Sequence, residues 1–249
     1  MTTTTVEHTE PTALIKEVDV HLTIKRFNPE VDVRPHWREY DLRLKSSDTV
    51  LNALIAVKGT IDGTLSFRRS CAHGVCGSDA MMINGANRLG CVNLISSVGT
   101  DLVIEPVRGL PVIKDLVVDM EPFFAQYRSV LPYLIANDDP GYKERYQSPE
   151  DRARFDDTTK CILCGACSTS CPVYWANGAY VGPAAIVNAH RFIFDSRDQA
   201  ASERLDILNQ KSGVWRCRTS FNCTEACPRG IKVTQAIEEV KRAILYDRS

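Results

Sequence analysis

The sequence predicts an α+β fold in two parts, a mixed β-sheet packed on one helix and then an all-helical region. Apolar and polar residues alternate up to about residue 119, as in half-buried strands, whereas helix start signals and helical apolar spacing dominate from about residue 120. A length of 249 residues fits two domains. We therefore expect a flexible, Thr-rich tail over residues 1–18, a first domain over 19–119 and a second over 120–249.

In the first domain, strands are expected at 20–27, at 40–44 and at 102–104. Between the second and third of these, Asp48 is predicted to cap a helix that ends at Gly59. The pair Asn84–Gly85 indicates a hairpin turn. Val117 and Val118 are expected to extend the sheet.

In the second domain, a helix is expected to start at Glu121 and to be kinked by Pro132. A second helix should begin after Ser148, with proline at its first position. Two further helices are predicted from Gly182 to Phe194 and over 234–246, and no strand is expected after residue 120.

The composition limits the classes of function. A net charge of -1 gives no general attraction to nucleic acid, and no apolar run approaches the ~18 residues of a membrane-spanning helix. The first residues lack the apolar core of a signal peptide and the arginines of a transit peptide. We expect a protein of the cytosol or of the cytosolic face of a membrane, most simply a prokaryotic one, with no nucleic-acid partner.

Ten cysteines in such a reducing compartment require a role other than disulfide formation. They fall into a first block (71–91), a middle block (161–171) and a last block (217–227), with none elsewhere. Zinc is one alternative, because C-x2-C pairs also build zinc sites. However, zinc sites close with four ligands in separated pairs, which the middle block does not resemble.

The middle and last blocks share the spacing C-x2-C-x2-C-x3-C-P of bacterial ferredoxins, in which the fourth Cys ligates the other cluster. Ser220 takes the second Cys position of the last block. This cross-over rule predicts a [4Fe–4S] site with four thiolates, Cys161, Cys164, Cys167 and Cys227. It leaves three thiolates for the other site, expected to hold [3Fe–4S]: Cys171, Cys217 and Cys223. The alternative is that Ser220 binds a fourth iron as an alkoxide, although serine is a poor donor.

The first block has the plant-type spacing C-x4-C-x2-C…C, with Asp in the third position. A [2Fe–2S] cluster needs four donors, and the candidates are Cys71, Cys76, Asp79 and Cys91. Either Asp79 binds iron, or it is a solvated loop residue and water or another side chain completes the site. His73 is a rival donor, since histidines ligate Rieske centres, but a single His in the loop fits that pattern poorly.

These motifs, together with Gly182–Ala185 and Asp195–Asp198, resemble the iron–sulfur subunit family of succinate dehydrogenase, respiratory complex II. The resemblance extends over nearly the whole chain after about residue 20. It implies a β-grasp plant-type ferredoxin domain that holds [2Fe–2S], followed by an all-α bacterial-type ferredoxin domain that holds [4Fe–4S] and [3Fe–4S].

The resemblance also implies partners. These are a flavoprotein subunit whose FAD oxidises succinate, and one or two membrane anchor subunits, often with haem b. The chain would relay electrons from FAD through the three clusters to membrane quinone, while attached peripherally to the cytoplasmic face of the cell membrane. It would not itself oxidise succinate, because it has no evident acid–base constellation.

The family's quinone pocket implies three candidate residues here, Pro172, Trp175 and Arg218. The chain departs from the family pattern at Ala176, where a second Trp is common, and at Arg218, where the family often has His. Trp175 is alternatively an apolar anchor against the membrane subunits, and Arg218 a surface cation.

Two other functions share the cluster motifs. Fumarate reductase has the same architecture and runs in reverse, but Asp79 and Trp175 favour the dehydrogenase. The second alternative function is that of a free-standing multi-cluster ferredoxin. The many aromatic residues of the second domain argue against this function, because one helical domain does not easily bury them.

Overall fold

A computed structural model describes residues 16–137 and 144–246, so most of the predicted tail lies outside the described residues. The strands are β1 Glu17–Arg26, β2 His36–Lys45, β3 Ala80–Ile83, β4 Ala86–Leu89, β5 Asp101–Glu105, β6 Val112–Lys114 and β7 Val117–Val118. The helices are α1 Val50–Ala56, α2 Ile95–Val98, α3 Glu121–Ser129, α4 Pro149–Ala153, α5 Ala166–Thr169, α6 Pro172–Ala176, α7 Pro183–Ile193, α8 Ala201–Leu208, α9 Asn222–Glu225 and α10 Val233–Tyr246. Within these ranges no strand follows Val118, as predicted.

Five strands form the predicted mixed sheet, in the order β2-β1-β5-β3-β4. Strand β1 pairs parallel with β5, and the other neighbours are antiparallel. The alternating residues Val20, Leu22 and Ile24 are buried and pack in one core with Val50 and Leu54 of α1. The alternation of apolar and polar residues therefore predicted correctly which side chains of β1 are buried.

The hairpin predicted at Asn84–Gly85 is present, and both residues have the positive φ of a two-residue turn, 50° and 81°. The prediction for Val117 and Val118 was wrong. They form β7, which pairs only with β6 in a separate two-stranded hairpin. The backbone N–H of Asp115, in the turn of this hairpin, donates to the Phe27 carbonyl and so ties the hairpin to the end of β1.

Two predicted helix boundaries differ from the structure. Thr49, not Asp48, caps α1: its hydroxyl accepts the Asn52 N–H while the Asn52 side chain accepts the Thr49 N–H. The Asp48 carboxylate instead accepts the Lys45 N–H. The helix also does not stop at Gly59, because a π-helical turn continues it over Val57–Ile61.

Pro132 does not kink α3, which ends three residues before it at Ser129. Leu131, the residue before the proline, has a left-handed φ of 53°. Proline disfavours the right-handed helical conformation in the preceding residue, so the helix terminates instead of bending. The other three helix predictions are confirmed as α4, α7 and α10.

The two parts of the chain meet in one of the two hydrophobic clusters of the described residues. Leu51, Leu89 and Cys91 of the first part pack in the same buried cluster as the helical residues. Across this contact the buried Asn87 side chain lies within hydrogen-bond distance of the Ala166 carbonyl (3.2 Å) and the Thr169 hydroxyl (2.8 Å). The cysteine blocks of the two parts are therefore fixed relative to each other by packing.

Arg204 explains the Asp195–Asp198 motif. Its side chain is fully buried and forms an ion pair with Asp198 at 2.6 Å. It also donates to the carbonyls of Leu131 and Tyr133, which holds the segment after α3 against α8.

A second buried ion-pair network anchors the first part. The Arg26 guanidinium contacts Asp62 at 2.5 Å and Asp115 at 2.9 Å, and all three side chains are at most 7% exposed. The Asp115 carboxylate also accepts the N–H groups of Phe27 and Ser66. The network connects β1 to the chain segments before and after the first cysteine block.

Arg26→Ala should destabilise this part strongly, because it leaves the buried Asp115 without its cation and Asp62 with only Arg38, at 2.7 Å. Removing one partner from a buried pair typically costs about 3–5 kcal/mol of unfolding free energy. Arg43→Ala is the matched control, since Arg43 pairs with Glu17 on the surface and should change stability by less than about 1 kcal/mol. Urea unfolding under anaerobic conditions measures both, and equal effects would contradict this role for Arg26.

Candidate metal centres

The middle and last blocks form two loops with the same backbone conformation. Leu163 and Thr219 have left-handed φ values of 54° and 55°, and Gly165 and Phe221 have 78° and 63°. A 3-10 turn precedes each loop and a single-turn helix follows it, α5 in one case and α9 in the other. The repeated cysteine spacing thus encodes a repeated backbone conformation.

The structure groups the cysteines of these two loops across the loops. One cavity is lined by three cysteines of the middle block and the last cysteine of the last block, Cys161, Cys164, Cys167 and Cys227. Cys171 is not among the residues that line this cavity. It interacts electrostatically with Cys217, and Cys223 interacts with both Cys217 and Cys171. We propose these two sets, which the cross-over rule also predicts, as the cluster ligands.

The cavity sulfurs need a positive partner. Burial raises the pKa of Cys167 well above its ordinary range and that of Cys164 to about 12, while the Ala166 N–H favours the Cys164 thiolate. Neighbouring thiolates in the same cavity raise both values further. A coordinated iron would supply the missing positive charge, since metal binding deprotonates a thiol. The donor set therefore fits an iron–sulfur cluster.

In the first block, backbone N–H groups surround Cys71. Its sulfur accepts the N–H of His73 (3.5 Å), Val75 (3.4 Å) and Cys76 (3.3 Å). These hydrogen bonds lower the pKa of Cys71 to about 6. The loop is thus shaped to stabilise an anionic sulfur at its centre.

Asp79 is not a solvated loop residue, because it is only 3% exposed. One carboxylate oxygen accepts the Cys91 N–H at 2.5 Å, whereas the other, Oδ1, is buried without a partner among the described residues. Burial and the adjacent Asp79 raise the pKa of the Cys91 thiol to about 12. A buried oxygen and a buried thiol that both lack a cation fit a metal site. His73 is exposed, and its ring contacts the Cys71 carbonyl of its own loop at 2.6 Å.

The described residues nowhere bring three His, Cys, Asp or Glu side chains onto a single ion position. In an iron–sulfur cluster the ligands are distributed over several irons and need not converge on one point. No helix in the described ranges has the length and apolar character needed to cross a lipid bilayer.

Sequence reasoning missed two side chains beside the cysteines. The buried Asn188 amide lies 3.5 Å from the Cys161 sulfur, and the Thr234 hydroxyl lies 3.6 Å from the Cys223 sulfur. A signal for Asn188 was available, since it is a polar residue within an apolar stretch of α7. Hydrogen bonds to the sulfurs are among the factors that set cluster potentials.

Of the three quinone candidates, only Trp175 lines the cleft between the two parts of the described chain. Its indole donates to the Thr169 carbonyl at 2.6 Å and its ring faces Arg108. The residues that line this cleft include neither Pro172 nor Arg218, both of which are exposed. Trp175 is itself 40% exposed, and its contact with Arg108 in this cleft is an arrangement that sequence reasoning did not foresee.

Gly77 places the first block directly on the middle block. A Cβ at Gly77 would lie 2.4 Å from the Cys164 Cβ and 2.8 Å from its Cα. Only glycine allows this approach, and its φ of +68° is also one that glycine adopts freely. The loops of two proposed clusters are therefore in van der Waals contact.

Comparison with known proteins agrees with this arrangement. Residues 21–125 match a 2Fe-2S iron-sulfur cluster binding domain, and residues 157–231 match a 4Fe-4S dicluster domain. The chain is 43% identical to the succinate dehydrogenase iron-sulfur subunit of Coxiella burnetii over 90% of this chain and 97% of the relative. It is 45% identical to that of Paracoccus denitrificans over 90% of this chain and 87% of the relative. The chain belongs to the iron–sulfur subunit family of succinate dehydrogenase.

A solved structure, the Mycobacterium smegmatis Sdh1 complex in the apo form, contains a chain similar to this family member. The TM-score is 0.84 at 26% identity, and the match covers 94% of this chain and 98% of that one. The predicted fold class is thereby confirmed, a ferredoxin-like [2Fe–2S] domain followed by a helical dicluster domain.

Gly77→Ala should separate the first two cysteine loops of this subunit, because the Cys164 backbone cannot yield to the new methyl group. We expect a lower melting temperature and a lower iron content. Gly230→Ala is a matched control, since Gly230 has almost the same φ (+67°) but nothing within 4 Å of the position that its new methyl group would occupy. The control should show only the backbone cost of about 1–2 kcal/mol. Equal losses in the two variants would show that the loop contact is not required.

Proposed function

We propose that this chain is the electron relay of a succinate dehydrogenase, passing electrons from the FAD of a flavoprotein subunit through [2Fe–2S], [4Fe–4S] and [3Fe–4S] clusters to membrane quinone. The observation that carries the proposal is the grouping of Cys227 with Cys161, Cys164 and Cys167 in one cavity. When bound, such clusters supply one-electron oxidation and reduction at potentials set by their type and surroundings.

The chain's own residues prepare these sites in two ways. Backbone N–H groups stabilise thiolate at Cys71, Cys164 and Cys171. Burial keeps water from Cys91, Cys167 and Cys223. The surrounding protein therefore supplies hydrogen bonds and a low dielectric, the two factors by which it adjusts a cluster's potential.

The partners follow from the proposed function. We assign the chain a flavoprotein subunit on one side and membrane anchor subunits on the other, which would hold it on the cytoplasmic face of the cell membrane. Quinone would bind at the interface with the anchors, with Pro172, Trp175 and Arg218 as exposed candidates from this chain. Haem b would belong to the anchors.

Purification of the intact complex tests this function. The chain should copurify with a flavoprotein and membrane subunits, and succinate should reduce its clusters when quinone is absent. We expect about nine irons and ten acid-labile sulfides per chain, without stoichiometric zinc. Two results together would instead favour a free-standing ferredoxin. The chain would purify without other subunits, and succinate would fail to reduce its clusters in isolated cell membranes.

Asp79 is proposed as the fourth [2Fe–2S] ligand, supported by its burial and by the unpartnered Oδ1. Asp79→Ala should lower the occupancy of this cluster, because no donor replaces the carboxylate. Asp79→Cys should restore the occupancy and change the electron paramagnetic resonance (EPR) spectrum of the reduced cluster, as sulfur replaces oxygen. If Asp79 serves only as the acceptor for the Cys91 N–H, the alanine variant should retain the cluster with an unchanged EPR spectrum.

The serine at position 220 is proposed to determine the three-iron type. Ser220 occupies the loop position that corresponds to Cys164 and is exposed. Ser220→Cys should complete a four-thiolate set, raise the iron content by about one per chain and abolish the EPR signal of an oxidised three-iron cluster. Thr219→Cys adds a thiol one residue away and should leave that signal intact. Persistence of the signal in Ser220→Cys would contradict the assignment.

A further inference from the structure

Tyr180 has a buried hydroxyl that no group in the described chain satisfies. The residue is fully buried, and its Oη lacks a hydrogen-bond partner. Leaving a buried donor unpaired costs free energy, so native proteins pair nearly all such groups. A partner for Tyr180 is therefore expected from outside the described residues.

The surroundings of Tyr180 indicate which partner this is. Tyr180 belongs to the same buried cluster as Cys171 and Cys223. Burial raises the pKa of its hydroxyl most, and thiolates at Cys217, Cys171 and Cys223, followed by Cys167, would raise it further. The three cysteines with the largest influence are the complete set proposed for the three-iron site. The sulfurs of that proposed site are therefore the ones that act most strongly on the hydroxyl.

The backbone holds Tyr180 in this position. Its N–H donates to the Asn177 carbonyl at 3.0 Å, directly after α6, and the next N–H, of Val181, donates to the Ser212 carbonyl at 3.0 Å. The two accepting carbonyls flank the cysteine loops: Asn177 follows the middle block, and Ser212 precedes the last block. The side chain is therefore positioned by the same segments that position its cysteine neighbours.

We propose that the Tyr180 hydroxyl donates a hydrogen bond to a sulfur atom of the cluster held by Cys171, Cys217 and Cys223, and thereby raises the reduction potential of that cluster. The inference rests on the proposed function, because it requires the cluster. Sulfide and thiolate are the anionic acceptors that the site would contain. A donated hydrogen bond stabilises the more negative, reduced form more than the oxidised form, so the potential rises.

Tyr180→Phe in the intact complex is the direct test, because it removes only the hydroxyl. A redox titration followed by EPR should show the three-iron cluster at a lower midpoint potential. We expect its reduction equilibrium to shift by about three- to tenfold toward the oxidised form, where a tenfold shift of a one-electron couple equals about 59 mV.

Tyr174→Phe is the matched control. Tyr174 is also a buried tyrosine, but of the cysteines only Cys167 acts on its hydroxyl. This variant should leave the midpoint potential of the three-iron cluster unchanged. Equal shifts in both variants would show a general effect of tyrosine removal and would overturn the inference, as would no shift in Tyr180→Phe.

A second substitution covers the case in which Tyr180→Phe fails to assemble. Replacement of Tyr180 by 3-fluorotyrosine keeps the hydroxyl and makes it a stronger donor, so the midpoint potential should rise. A purely structural role of Tyr180, or a hydroxyl paired only with buried water, predicts no rise and would overturn the inference. Absence of a three-iron EPR signal in the wild type would instead reject the proposed cluster type itself, which separates the two failures.

Discussion

The central constraint that we propose for this molecule is that neither cysteine loop of the helical part completes a cluster site alone. Cys227 lies with the cysteines of the middle block, and Cys171 interacts with those of the last block. Each loop must therefore face the other at a fixed separation. Helices α7 and α10 pack together in the buried core behind the loops and supply that separation.

The first part of the chain obeys a related constraint, since its cysteine loop must approach the middle block closely. Gly77 removes the side chain that would prevent the approach, and Asn87 makes polar contacts across the boundary. The buried Arg26 network then holds β1 near the segments that flank this loop. Stability and electron transfer depend on the same contacts, because loosening the boundary would move two proposed clusters apart.

Local signals predicted the parts of the structure that local physics determines. The cysteine spacing gave the two loops, Asn84–Gly85 gave the hairpin, and period-two alternation gave the buried face of β1. A prediction failed where one residue restricts the conformation of its neighbour. Pro132 was expected to kink α3, but the helix ends at Ser129, before the proline. Sequence reasoning also missed contacts that only the tertiary structure reveals. Trp175 lies in the cleft between the parts, and neither Asn188 nor Tyr180 carries a spacing signal that reveals the adjacent cysteines.

The exchange of cysteines between loops is tested most directly by an anomalous difference map, recorded at the iron absorption edge from crystals of the cluster-loaded complex. We predict a four-iron group beside Cys161, Cys164, Cys167 and Cys227, and a three-iron group beside Cys171, Cys217 and Cys223 with its open corner toward Ser220. A group that includes both Cys167 and Cys171 as ligands, or a fourth iron bound at Ser220, would contradict this exchange.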